Sequence, residues 1–256
     1  MAQITKESID SKVFNSKQSI SIKLPKNYDE NSALKHPVII VLDGEYLFNP
    51  VIGQTDFQTY FDIMPSSIIV GINDGNDKLS HASNDDVSTE SPVSGSEYYE
   101  FLSEELLPYL DGKYNTNKFR VVVGHQKSTN FLNSFLLKDQ PPFQGYISIS
   151  PEFRGDMRQK MVKKLQSLNN DVVYYMATTT NDLDSVITNV ISTSKDLNSI
   201  DNKHLKFYFD NFDSLSHHTM VMSAIARGFE KVFNSYKSIK DKKIKDNVVT
   251  YDRTLD

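Results

Sequence analysis

The segment Phe119-Arg120-Val121-Val122-Val123-Gly124-His125-Gln126-Lys127-Ser128-Thr129 decides how the rest of the chain is interpreted. Its continuous apolar run is typical of a strand that is buried on both faces of a sheet. After the turn, apolar residues return with helical spacing at Phe131, Leu132, Phe135 and Leu136. The segment therefore predicts a buried strand that passes through a tight turn into a helix.

Outward from this segment, apolar runs and helix-period patterns alternate along the chain. Short strands are predicted at 13–14 and 20–24, and buried strands at 38–42, 67–72, 146–151, 172–177 and 205–209. Helices are predicted at 94–112, 157–168, 186–200 and 220–233. This alternation predicts an α/β fold, with a mostly parallel central sheet, helices on both faces and function at the carboxyl ends of the strands.

Length and composition favour one large domain. The 256 residues are enough to bury a sizeable core, and we expect an α/β domain over 1–236 followed by a basic polar tail over 237–256. The net charge of -5 and the pI near 5.7 give no basic footprint for nucleic acid. There is no cysteine, and no apolar run reaches the ~18 residues that span a bilayer. We expect no membrane span and no cofactor, because no motif indicates a metal or nucleotide site.

Both ends of the sequence support hypotheses about the native protein. The basic run 237–245 is typical of a solvated surface helix rather than a binding patch, and we interpret the tail as the start of a longer extension. Near the start, Ala2-Gln3 is similar to the remnant of a signal-peptidase site. A removed signal peptide would make the protein periplasmic or secreted. A native cytoplasmic start is the equal alternative.

A long polar stretch at 73–96 is rich in loop-forming residues and contains His81. Loops of this length in a compact domain are usually functional or disordered. We interpret His81 as a solvated loop residue rather than a ligand, because a lone histidine in a polar loop is more often solvated.

Six segments resemble the esterase family of α/β-hydrolases, which includes enterochelin esterases, S-formylglutathione hydrolases and feruloyl esterases. They follow the family's order and are 38–44, 68–72, 101–110, 120–125, 143–151 and a segment around His217. Each segment is weak evidence alone. Six in order indicate the α/β-hydrolase fold, whereas activity has to be argued from the site itself.

The resemblance implies positions for a catalytic triad. Gln126 falls where the family has its nucleophilic serine, in the sharp strand-to-helix turn called the nucleophile elbow. His217 falls where the family has the general base, and His218 is the alternative. Asp182 falls at the acid, and Asp184 is the second choice because the intervening loop allows a shift in the alignment.

The resemblance also implies an oxyanion hole made from main-chain amides. Its two donors are the backbone N–H groups of Glu45 and Lys127, whose side chains would bring a carboxylate and a cation near the pocket. Ser128 replaces the second glycine of the elbow. We expect Ser128 on the first helical turn with its hydroxyl aimed elsewhere, so it is a poor substitute nucleophile.

A carboxamide at the nucleophile position changes the predicted function. It has no ionisable hydrogen on a nucleophilic oxygen, so a histidine cannot activate Gln126 as it would a serine. We therefore predict a degenerate catalytic triad in a pseudoenzyme that binds a ligand or partner. Two alternatives stay open: an active carboxylic-ester hydrolase that uses another nucleophile or an activated water, and an interaction module with a vestigial pocket.

Five aromatic residues lie near the predicted mouth of the pocket: Tyr46, Phe48, Phe57, Tyr60 and Phe61. They would suit a stacking wall for a sugar or catechol, but core and lid packing is the favoured interpretation. The expected partner is a small molecule, either ester-like or of the siderophore or carbohydrate type. No nucleic acid is expected as a partner, and no membrane span is expected.

Overall fold

The computed structural model describes residues 4–73 and 95–236. Within them lie the strands β1 (Ile4–Ser11), β2 (Ser16–Lys23), β3 (His36–Val41), β4 (Ile68–Ile72), β5 (Thr116–His125), β6 (Gly145–Ile149), β7 (Val172–Thr178) and β8 (Leu205–Asn211). They form one sheet in the order β1-β2-β4-β3-β5-β6-β7-β8. The pairs β1–β2 and β2–β4 are antiparallel, and the five pairs from β4–β3 to β7–β8 are parallel.

The helices of the described residues are α1 (Gly44–Tyr60), α2 (Gly95–Glu100), α3 (Leu107–Lys113), α4 (Ser128–Leu136), α5 (Met157–Gln166), α6 (Asp184–Asn198) and α7 (Met220–Val232). A π-helical segment, Phe101–Leu106, joins α2 to α3. The predicted α/β fold, with helices around a mostly parallel sheet, is confirmed. His81 and the basic tail at 237–256 lie outside the described residues, as does most of the polar stretch at 73–96.

The two faces of the sheet are covered by different helices, and β5 shows how its sequence serves both. Val121 and Val123 pack into one core with apolar residues of α1 and α7, whereas Val122 packs into the other core. That second core includes apolar residues of α2 to α6 and the π-helical segment. Because successive side chains of a strand point to opposite faces, a continuous valine run suits a strand covered on both sides.

The amino-terminal hairpin differs from its prediction. Strands were predicted at 13–14 and 20–24, but β1 is earlier and longer, and the turn between β1 and β2 lies at 12–15. The sequence of β1 is mostly polar, and its outer residues are exposed at the edge of the sheet. Backbone pairing with β2 along its whole length holds it in place. The sequence of such an edge strand has few apolar residues from which the strand could be predicted.

Helix α1 was not predicted, and the helix predicted at 94–112 is divided. Pro50 lies inside α1. The buried residues of this helix include polar as well as apolar ones, so its apolar residues do not show a clear helical spacing. The π-helical segment shifts the phase of the helical pattern between α2 and α3. No helix in the described part of the chain is long and apolar enough to cross a membrane.

Candidate active site

The turn between β5 and α4 is a sharp bend at Gln126. Its φ is +55°, in the left-handed region that residues other than glycine seldom adopt. The backbone N–H of Gln126 donates to the Ile149 carbonyl oxygen at 2.9 Å, which ties the bend to the end of β6. A Cβ on Gly124 would lie 2.8 Å from Ser128 Oγ, so only glycine allows this close approach. The bend therefore holds residue 126 at the carboxyl edge of the sheet.

The Gln126 side chain contacts His217, which follows β8. Their two Nε2 atoms are 2.6 Å apart, and His217 Nδ1 makes a short hydrogen bond with Asp182 Oδ1. A neutral imidazole that donates from Nδ1 to a carboxylate keeps a lone pair on Nε2, to which an amide NH2 group donates. The structure thus brings Gln126, His217 and Asp182 into one hydrogen-bonded chain.

Asp182 is held as a buried carboxylate by hydroxyl donors. Its side chain is 2% exposed, and Thr178 Oγ1 and Ser150 Oγ each donate to its Oδ2 at 2.8 Å. Ser150 also has a positive φ of +45°. Burial acts to raise the pKa of Asp182, but the hydrogen bonds from Thr178, His217 and Ser150 outweigh it, so the pKa is lowered. The acid is therefore ionised at neutral pH and able to orient the imidazole.

The segment 178–182 also fastens the loop that carries His217. Its contacts are Thr179 Oγ1 with the carbonyls of Phe212 and Leu215, Thr180 Oγ1 with the carbonyl of Asp213, and Asn181 Nδ2 with the carbonyl of Leu215, all at 2.6–2.9 Å. Asp182 adds its bond to His217 itself. Every side chain of Thr178-Thr179-Thr180-Asn181-Asp182 is thus used to position either the acid or the histidine.

Asp43 supports the bend from the end of β3. Its Oδ2 accepts hydrogen bonds from Ser128 Oγ at 2.6 Å and from the His125 N–H at 3.2 Å. Burial raises the pKa of Asp43 to about 6, although these hydrogen bonds act in the opposite direction. Ser128 is 2% exposed and its hydroxyl is engaged by Asp43. As expected from the sequence, Ser128 does not offer a free nucleophile.

His125 lies between His217 and the residues that hydrogen-bond to Asp43. Its Nδ1 is 3.0 Å from Tyr46 Oη, and its ring centroid is 4.9 Å from that of His217. Its Nε2 is buried and has no hydrogen-bond partner within the described residues. Burial, with a smaller contribution from His217, lowers the pKa of His125 to about 4. His125 is therefore neutral near pH 7 and adds no charge to the site.

The two amides expected to form an oxyanion hole lie at the starts of helices that follow neighbouring strands. Glu45 is the second residue of α1, and Lys127 immediately precedes α4. The preceding strands, β3 and β5, are adjacent and parallel, so both helices start at one edge of the sheet. Neither amide donates a hydrogen bond to any residue that the structure describes. Helix starts of this kind favour a partial negative charge.

Known proteins are similar to this chain in both sequence and structure. The family described as "Putative esterase" matches residues 11–129, which include the bend at Gln126. An uncharacterised protein from Capnocytophaga ochracea DSM 7271 is 26% identical, with a TM-score of 0.82 over 96% of this chain and 68% of that chain. Among curated proteins, no significant match is found.

Two further solved structures show the same architecture at lower identity. An IroE-like serine hydrolase from Shewanella oneidensis is 19% identical, with a TM-score of 0.79 over 91% of this chain and 80% of that chain. The siderophore hydrolase EstB from Aspergillus nidulans is 12% identical, with a TM-score of 0.75 over 92% and 95% of the two chains. The chain has an α/β-hydrolase fold.

The alternative candidates for the histidine and the acid lie outside the hydrogen-bonded set that Gln126, His217 and Asp182 form in this α/β-hydrolase fold. His218 is exposed, and its ring centroid is 5.0 Å from that of His217. Asp184 is the exposed first residue of α6, and no contact joins it to His217 among the described residues. No three His, Asp or Glu side chains in the described part of the chain are grouped to hold a metal ion.

The aromatic residues predicted near the mouth do not act together. Tyr46 contacts His125 in the site and Phe48 is buried, whereas Phe57, Tyr60 and Phe61 are 56–82% exposed near the other end of α1. The prediction that they pack in the core is therefore wrong for Phe57, Tyr60 and Phe61. A helix rises ~1.5 Å per residue, so Phe57 lies about 20 Å along the axis from the start of α1 at Gly44.

Sequence reasoning missed four residues that shape the site: Asp43, His125, Ser150 and Thr178. Each lies at the end of a strand or within two residues after it. The rule that α/β folds place function at the carboxyl ends of strands is the signal that would have found them. Their specific contacts depend on which strands are neighbours, which the sequence pattern does not give.

Proposed function

We propose that this chain is a pseudo-hydrolase, a protein of esterase-type α/β-hydrolase fold whose pocket binds a ligand without cleaving it through a covalent enzyme intermediate. The observation that carries the proposal is the contact between Gln126 and His217. The carboxamide occupies the place at the bend from which a serine hydroxyl would approach His217 Nε2.

The chemistry of a carboxamide explains why covalent catalysis is lost. A serine gives its proton to His217 as its oxygen attacks an acyl carbon, but an amide oxygen carries no such proton. Removal of the serine nucleophile from a hydrolase costs ~10⁶-fold in turnover and leaves ~10³- to 10⁴-fold catalysis from the oxyanion hole and binding. The proposed protein therefore keeps a binding pocket with little residual hydrolysis.

Hydrogen bonds hold the residues around the site in place, which favours a pocket that still binds a ligand. Asp182 is held by Thr178 and Ser150, and segment 178–182 fastens the His217 loop. Groups fixed in advance by their neighbours bind a ligand at a smaller entropic cost. We propose an ester-like or siderophore- or carbohydrate-type ligand. The similarity in fold to a siderophore hydrolase supports that class.

A second candidate function is hydrolysis by an activated water. The bond between His217 and Asp182 favours it, because an oriented imidazole is a general base. In that case His217 would deprotonate a water molecule, the hydroxide would attack the ester carbonyl, and the alkoxide would leave after taking up the proton. Gln126 occupies Nε2 of the same imidazole, so the water would have to displace this contact first.

Hydrolysis of p-nitrophenyl acetate separates the two candidates. We expect no turnover above background for the unmodified protein, clear turnover for Gln126→Ser, and none for Gln126→Ser combined with His217→Ala. Asp184→Asn in the Gln126→Ser protein is the matched control and should leave turnover unchanged. Turnover by the unmodified protein that His217→Ala alone removes would overturn the proposal in favour of the water mechanism.

A further inference from the structure

We infer that the pocket selects a ligand group that carries a carbonyl oxygen and an N–H or O–H donor on the same carbon, such as a primary amide or a hydroxamic acid, over an ester. This inference rests on the proposed function, because it concerns a ligand that is bound and not cleaved. It follows from the direction in which the Gln126 carboxamide has to point.

The acid side of the site sets the tautomer of His217. Asp182 Oδ2 accepts from both Thr178 and Ser150, and Oδ1 faces His217 Nδ1. A carboxylate accepts hydrogen bonds but does not donate them, so the ring has to present an N–H at Nδ1. In the neutral imidazole, Nε2 then carries a lone pair that faces Gln126.

The tautomer in turn sets the direction of the carboxamide. The group 2.6 Å from His217 Nε2 is the NH2 group of Gln126, which donates to the lone pair. The opposite orientation would bring the amide oxygen against that lone pair, two acceptors in contact. Gln126 Oε1 is thus left as an acceptor, and no described residue donates a hydrogen bond to it.

The pocket consequently offers one acceptor together with two donors. The acceptor is Gln126 Oε1, and the donors are the backbone N–H groups of Glu45 and Lys127, neither of which bonds to a residue that the structure describes. A serine at residue 126 would donate its hydroxyl to His217, and the lone pairs left on its oxygen would lie closer to the backbone than Gln126 Oε1, because the serine side chain is shorter. The exchange of serine for glutamine therefore changes what the pocket recognises as well as what it catalyses.

An amide and an ester fill these three positions differently. The carbonyl oxygen of either ligand accepts from the two backbone donors, but only the amide has an N–H for Gln126 Oε1. A site that is built to hydrogen-bond a donor discriminates against the analogue that lacks it, because its own polar group is left unpaired. We expect a preference of about tenfold, which corresponds to ~1.4 kcal/mol.

Benzamide and acetophenone test this inference, since they have the same shape and differ in NH2 against CH3. Neither is an ester, so cleavage does not complicate the measurement. Titration of each into the unmodified protein, followed by NMR, should show benzamide binding about tenfold more tightly. Gln126→Met removes the acceptor at similar side-chain length but frees the Nε2 lone pair of His217, so the preference should be abolished when Gln126→Met is combined with His217→Phe. Asp184→Asn, on the exposed start of α6, should retain it.

Equal affinities for benzamide and acetophenone, no detectable binding of benzamide, or a preference that persists in Gln126→Met combined with His217→Phe would each overturn the inference. A melting curve of this double variant confirms that it is folded. The result is separate from the test of the proposed function. Hydrolysis of p-nitrophenyl acetate by the unmodified protein would end the pseudo-hydrolase proposal, whereas the benzamide preference alone decides the ligand group.

Discussion

The site has two halves that differ in what they retain. The histidine half consists of segments 178–182 and 212–219, and it carries an acid and a histidine that are completely hydrogen-bonded. The elbow half consists of 43–46 and 125–128, and it keeps the sharp bend but has a carboxamide at its centre. The comparison of the two halves shows that each holds its geometry without a nucleophilic side chain.

The pKa values of Asp182 and Asp43 show the same contrast between the two halves. Hydrogen bonds overcome burial at Asp182 and lower its pKa, whereas burial prevails at Asp43 and raises its pKa to about 6. Asp182 has two hydroxyl donors and an imidazole, but Asp43 has one hydroxyl donor, with weaker contacts from the His125 N–H and the Tyr46 phenol. The histidine half is thus arranged to hold a charge, and the elbow half is not.

The largest expected effect comes from removing the acid of the histidine half in a reactivated protein. In the Gln126→Ser background, Asp182→Asn should lower kcat for p-nitrophenyl acetate by about 10⁴-fold, because the imidazole loses its tautomer and orientation. Asp43→Asn in the same background should lower kcat much less. Equal losses would show that the halves do not differ as described.

Asp43→Asn should instead change how stability depends on pH. The ordinary pKa of an aspartate is ~3.9, so between about pH 4 and 6 the folded protein binds more protons than the unfolded chain. The contribution of Asp43 to the free energy of unfolding therefore falls as pH rises through this range, by up to about 3 kcal/mol.

Urea unfolding at about pH 4 and pH 7 measures this change. Asp43→Asn does not titrate, so its stability relative to the unmodified protein should increase from the lower pH to the higher. A difference between the two proteins that is constant with pH would contradict the raised pKa of Asp43.

A smaller effect is expected from Thr178→Val, which removes one hydroxyl donor to the buried Asp182 carboxylate. Hydrogen bonds to charged groups contribute ~1.5–3 kcal/mol, so the free energy of unfolding should fall by about 2 kcal/mol. Thr180→Val is the matched control, because Thr180 is exposed and bonds a neutral carbonyl of Asp213. Equal losses in the two variants would mean that Asp182 does not depend on its donors.

The smallest effect is expected from Tyr46→Phe in the elbow half. It removes a hydroxyl that contacts His125 Nδ1 and, more weakly, Asp43 from a residue that is 47% exposed, so we expect a loss of about 1 kcal/mol or less. Tyr60→Phe on the same helix is the control, since Tyr60 is 82% exposed and makes no hydrogen bond through its hydroxyl within the described residues. A larger loss in Tyr60→Phe would remove the distinction between the two ends of α1.

The sequence was sufficient to predict strands β2 to β8, most helices and the three residues that are joined by hydrogen bonds at the site. Buried strands such as β5 have an unmistakable apolar run, and motif order pointed to Gln126, Asp182 and His217. The supporting residues could not be predicted. Ser150 and Thr178 meet Asp182 only because β6 and β7 are neighbours, and strand order is a property of the whole fold.

Helix α1 and the amino-terminal hairpin show the same limitation. Pro50 and interspersed polar residues hid α1, whose position follows from the need to connect β3 to β4 across one face of the sheet. Strand β1 is polar and gains its place by backbone pairing with β2. Local sequence patterns indicate well which residues are buried, but they indicate poorly which strands pair and where a helix connects two strands.

Labelling with a serine-directed fluorophosphonate tests most directly whether this is a hydrolase site that lacks only its nucleophile. A serine oxygen attacks the phosphorus, fluoride leaves, and His217 takes the serine proton, so a label requires both the nucleophile and the base. We predict no label on the unmodified protein, a label at residue 126 of Gln126→Ser, and none when His217→Ala is added. A label on the unmodified protein, or none on folded Gln126→Ser, would contradict this account.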